Sequence, residues 1–253
     1  FQVNELVATL AVGLVCGLYW AVSSNMTVEP TQRLTGGGGF AIGHQQQFAI
    51  WFVDKVAPKL GKKEENLDNL KLPTFLNIFH DTVVASATLM LVFFGAILFV
   101  LGPDIMSNAE VITSGTLYNP EKQAFFMYVL QTAFTFSVYL FILMQGVRMF
   151  VGELTNAFQG ISNKLLPGSF PAVDVAAAFG FGSPSAVLFG FATGLIGQLI
   201  TIVLLIVFKN PVLIITGFVP VFFDNATIAI FANEKGGIKA ALILPFISGL
   251  CQV

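Results

Sequence analysis

The sequence predicts an all-α polytopic membrane protein whose transmembrane helices are interrupted by broken or re-entrant segments. Three observations carry that prediction. Residues 6–28, 83–101, 123–147 and 175–208 are long, apolar and free of charge, and a helix crosses the hydrocarbon layer with roughly 20 such residues. Charged residues make up 10% of the 253, against about 25% in soluble domains. Between the apolar runs lie segments dense in Gly and Pro, which a simple helical bundle does not need.

The first span, 6–28, leads into Thr35-Gly-Gly-Gly-Gly-Phe-Ala-Ile-Gly-His44, with five Gly in ten residues. Glycine permits positive φ and close backbone approach, so this segment is expected to be non-helical. At membrane depth its backbone groups need partners from protein, water or ligand. Gln45, Gln46 and Gln47 follow, and then an amphipathic stretch from Phe48 to Ala57 suited to the interface. Lys55, Lys59, Lys62, Lys63 and Lys71 hold five of the twelve basic residues, whereas residues 102–122 contain only Lys122. By the positive-inside rule the first loop is cytoplasmic and the second lies opposite, with 83–101 crossing between them. The span 123–147 then returns and brings Arg148 and Lys164 to the cytoplasm.

A second interruption follows Lys164 and carries Pro167, Pro171 and Pro184; a third runs from Thr216 to Thr227 and carries Pro220. Proline removes a helical donor and clashes with the preceding turn. Pro171…Asp174 and Pro220…Asp224 share a loose pattern, and broken elements in related positions point to a transporter's midplane site.

Few polar residues lie at depth, and such residues are functional by default. His44 offers imidazole chemistry beside three amides, which suits a ligand dense in hydroxyl and carbonyl groups. The competing reading is a loop histidine satisfied by a backbone carbonyl. Asp174 stands alone in an uncharged neighbourhood, where a carboxylate must be paired, hydrated, protonated or ligand-bound; the function reading is preferred. Asp224-Asn225 reads as a helix cap. Asn77, His80 and Asp81 read as cap and counter-charge ahead of the next span, with a His80–Asp81 proton relay as the alternative.

Other chemistries find little support. A net charge of −2 gives no basic field for nucleic acid. Cys16 and Cys251 both sit in apolar runs without metal-type spacing. No Gly-x-Ser-x-Gly elbow occurs, and Gly36–Gly39 lacks the Lys and the strand that a phosphate loop requires.

Several strings carry a resemblance: Leu18-Tyr19-Trp20 with Ser24-Asn25-Met26, Gly43-His44-Gln45-Gln46-Gln47-Phe48, Leu76 to Asp81, Gln145 to Val151, and Phe223 to Ile228. Together they resemble the ascorbate-specific IIC permease of the bacterial phosphotransferase system (the UlaA/SgaT family), over nearly the whole chain. The resemblance implies a homodimeric, multi-pass protein of the bacterial inner membrane. Within 1–253 it implies discontinuous parts of a substrate-carrying core domain and a dimerising domain, the core moving as an elevator. It also implies that an N-terminal portion and a final tail lie outside this chain.

The implied activity is uptake of L-ascorbate while a cytoplasmic IIB partner, phosphorylated by IIA, passes phosphate to it to give ascorbate 6-phosphate. The permease itself is expected to use no cofactor, no metal and no covalent step, so its cysteines are distinct from the phosphocysteine of IIB. On the matching motifs, His44, Gln45 and Asp174 correspond to substrate-binding positions. A proton-coupled secondary transporter of a sugar acid is the alternative within transport, and a membrane scaffold the alternative outside it.

Overall fold

The computed structural model describes residues 4–69, 82–108, 117–211 and 216–252. Its helices are α1 (Glu5–Met26), α2 (Val28–Thr35), α3 (Gln47–Leu60), α4 (Thr82–Met106), α5 (Phe125–Leu165), α6 (Pro184–Val207) and α7 (Phe218–Cys251); α4 and α7 are each broken by a positive-φ glycine, Gly102 (φ 76°) and Gly237 (φ 62°). Two short strands, β1 (Ala41–Ile42) and β2 (Ala172–Val173), interrupt them. Among the described residues four segments are long and apolar enough to cross a membrane: Glu5–Met26, Ala87–Met106, Phe125–Leu143 and Pro184–Val207. The fold is that of an all-α polytopic membrane protein.

The chain forms two compact units, residues 71–146 and the remainder. In the smaller unit, Leu98 and Met106 of α4 pack with Tyr118 and with Tyr128 and Val129 of α5. The Tyr118 ring meets Phe125 at 5.2 Å and Tyr128 at 5.4 Å, within the range of favourable tilted aromatic pairs.

The larger unit is built on α7. Against it α3 lays Ile50, Val53 and Ala57, spaced at helical intervals, onto Ile228, Phe231 and Ala232. On its other side α6 presents Gly190, Gly194 and Gly197, and this stripe lets the two backbones approach. A Cβ at Gly194 would lie 2.1 Å from Asn225 Cγ, and one at Gly197 would lie 2.3 Å from the Phe246 carbonyl oxygen. Without a hydrophobic drive between helices in lipid, such close backbone contact is the main source of association.

One buried charge ties three helices of this unit together. Asp54 on α3 is only 2% exposed; it accepts from Arg33 on α2, and Lys235 on α7 reaches its other oxygen at 2.8 Å. Truncating one member of such a cluster leaves buried charge uncompensated.

Some sequence expectations hold here and others change. The interruption expected through Pro184 is present: a 3₁₀ turn covers Val175–Gly180, and α6 starts afresh at Pro184. Ser183 caps α6 by accepting from the Ala186 N–H at 3.3 Å, and Pro184 opens the helix where no N–H is needed. In contrast, the expected break at Pro220 is absent. Helix α7 begins at Phe218 with Gly217 as its N-cap, which puts Pro220 in the first turn, where proline is tolerated. Asp224 and Asn225 therefore lie inside the helix rather than capping it. The Pro171 and Pro220 stretches adopt different backbones, so their shared pattern marks no structural repeat. Helix α5 runs on past the apolar span to Leu165 and carries Arg148 and Lys164. His80 and Asp81, with Asn77, lie outside the described residues.

Candidate functional site

Helix α2 ends where Gly36 takes a left-handed conformation (φ 64°) and its N–H bonds the Gln32 carbonyl. The chain then runs through the glycines to β1, and side chains satisfy its backbone groups. Gln32 accepts from the Gly39 N–H at 3.2 Å and donates to the Phe40 carbonyl at 2.6 Å. Gln159 of α5 donates to the Gly38 carbonyl at 2.9 Å, and Thr27 donates to the Ile42 carbonyl at 2.8 Å. The segment is non-helical, as expected, and protein groups meet its polar demand.

Two broken segments far apart in sequence meet at this point. β1 pairs with β2 in parallel, with Ala41 opposite Ala172 and Ile42 opposite Val173. The Ala41 N–H donates to the Pro171 carbonyl at 2.9 Å, and the Gly43 N–H to the Val173 carbonyl at 2.7 Å. Because the strands are parallel, the chain leaves both at the same end. That register sets Gly43 beside Asp174 and His44 one residue beyond. A Cβ at Gly43 would sit 2.7 Å from the Ala172 Cβ, so the crossing needs a glycine there.

His44 is half-buried, and its Nδ1 accepts from the Gln46 N–H at 3.4 Å. In that tautomer Nε2 carries the proton and is free to donate. Gln45 is exposed, and its carbonyl accepts from the Tyr19 hydroxyl at 3.1 Å. Asp174 is exposed as well, and one of its oxygens accepts from the Ala176 N–H at 2.9 Å. It thus caps the 3₁₀ turn, a local duty that leaves further acceptor capacity open.

Sequence reasoning did not single out two amides from the same run. Gln46 is 8% exposed with its Oε1 unpartnered, and Gln47 is fully buried with neither amide atom paired. Unpaired buried amides are costly, and nothing in a Gln-Gln-Gln string distinguishes them from surface residues.

A groove of 460 Å³ runs between α3 and α7, with Gln46, Asp224, Ser248 and Gln252 among its lining residues. Asp224 is half-buried and near enough to His44 for the two to interact electrostatically. Among the described residues no set of three or more His, Cys, Asp or Glu could hold a metal ion.

Membrane-spanning helices interrupted by two irregular segments that cross beside polar side chains are the arrangement that transporters build their solute sites from. The family model described as "PTS system sugar-specific permease component" matches residues 1–253; the chain belongs to this family of phosphotransferase-system permeases. It is 33% identical over 258 residues to the ascorbate-specific PTS system EIIC component of Mycoplasma pneumoniae (strain ATCC 29342 / M129 / Subtype 1). The alignment covers 95% of this chain and 39% of that relative's length.

Proposed function

We propose that this chain forms the substrate-binding part of an L-ascorbate permease of the bacterial inner membrane, with His44, Gln45 and Asp174 as substrate contacts. The parallel β1–β2 crossing carries this reading, because it brings the ends of two distant broken segments together. The family match supports a sugar permease of the phosphotransferase system, and the ascorbate-specific relative supports the choice of substrate.

The chemistry follows from the donors and acceptors present. His44 Nε2 and the Gln45 amide suit the lactone and enediol oxygens of ascorbate. Asp174, with acceptor capacity beyond its cap, suits a side-chain hydroxyl. A polyhydroxylated solute leaves water only where such partners replace its hydration. The permease supplies a path and presents the solute at the cytoplasmic face. A phosphorylated IIB component, charged by IIA, then transfers phosphate to it and prevents return. A homodimer whose core shifts against a dimerising scaffold completes the proposal.

Uptake into membrane vesicles by the intact protein tests it. Group translocation requires phospho-IIB and accumulates ascorbate 6-phosphate. Accumulation of free ascorbate driven by ΔpH would instead establish a proton-coupled carrier and overturn the phosphorylation step.

A further inference from the structure

The α3–α7 groove holds two acceptors, Asp224 and Gln46 Oε1, that receive no hydrogen bond among the described residues. The charge that acts on the Asp224 carboxylate is the neighbouring His44. Gln46 Oε1 is buried without a partner, in a residue that lines the same groove. The other two polar groups of the lining engage each other: Gln252 donates to Ser248 at 3.5 Å, and its Oε1 already accepts from Asn225 at 3.0 Å. The remaining wall is apolar, Phe52 and Ile243 included.

Two open acceptors on an apolar wall call for a ligand that donates hydrogen bonds. A calcium ion takes about six to eight oxygen ligands, more than the side chains of this wall offer. A hydroxyl needs one or two. Gln46 also joins the groove to the strand ends, since its own N–H bonds His44. We propose that the solute site extends from His44 into this groove, and that Asp224, seconded by Gln46, accepts a hydrogen bond from a side-chain hydroxyl of the transported solute. Asp224 is then a specificity-determining residue, selecting for that hydroxyl. This inference rests on the ascorbate reading above.

The test is titration calorimetry on the intact protein in lipid nanodiscs, with L-ascorbate and its 5-deoxy and 6-deoxy analogues. A hydrogen bond to a charged acceptor predicts that wild-type protein binds one of the two analogues roughly tenfold to a hundredfold more weakly than L-ascorbate. Asp224→Leu should bind L-ascorbate weaker by a similar factor and cease to discriminate against that analogue. Asp224→Asn, which keeps an acceptor oxygen, should fall between. Wild-type protein that binds all three alike overturns the proposal without any variant. So does Asp224→Leu binding L-ascorbate within about twofold of wild type, or losing the same factor for all three ligands. Loss of a sodium dependence in that variant would make the groove a cation site instead. Failure of wild-type protein to bind L-ascorbate at all would overturn the ascorbate reading together with this one.

Discussion

Asp174 serves the fold and, on the proposal above, the ligand, and one substitution separates the two duties. Asparagine also caps helical turns and can still accept from the Ala176 N–H, so Asp174→Asn should leave the melting temperature nearly unchanged. It loses the charge that strengthens a hydroxyl's hydrogen bond. Affinity for L-ascorbate should therefore fall about tenfold, read by ligand-induced thermal shift. A full-strength shift would remove Asp174 from the site. Asp54 is the opposite case. Asp54→Ala leaves Arg33 with only the exposed Glu29 and takes the carboxylate from Lys235, and the intact protein should lose about 2 kcal/mol of stability, measured as an earlier thermal transition. At this scale the sequence drew attention to His44 and Asp174, and the structure brings the two segments that carry them together. The sequence was silent on Asp54, whose partners lie 21 positions before it and 181 after it. It misread Asp224 as a cap because the start of α7 was placed too late.

The crossing of β1 and β2 is the element on which the site depends. Each strand is two residues long, too short for periodicity to announce, and their pairing joins segments with no sequence relation. The Gly-rich and Pro-rich compositions showed that the helices break there; they did not show that the breaks meet. Gly43→Val should prise the ladder apart, because its Cβ would overlap Ala172. The expected result is a loss of L-ascorbate binding along with about 1–3 kcal/mol of stability. Gly194→Leu acts elsewhere. It should separate α6 from α7 at Asn225 and lower the thermal transition more than Gly13→Leu on α1, where a Cβ meets nothing within 4 Å. Equal effects from the two substitutions would mean that the glycine stripe of α6 does not set the helix packing.

For the whole molecule, apolar run length and charge deficit were enough to give the solvent and the helical class, because lipid admits few backbone solutions. The exposed surface of α1, with 6% of its apolar window buried, is consistent with a helix that faces lipid or further protein. The proposal that two interrupted segments jointly enclose one solute is tested most directly by a cryo-EM map of the intact protein with L-ascorbate bound. It predicts ligand density within about 3 Å of both the His44 imidazole and the Asp174 carboxylate. Density that touches only one of them, or lies away from the β1–β2 crossing, would contradict it.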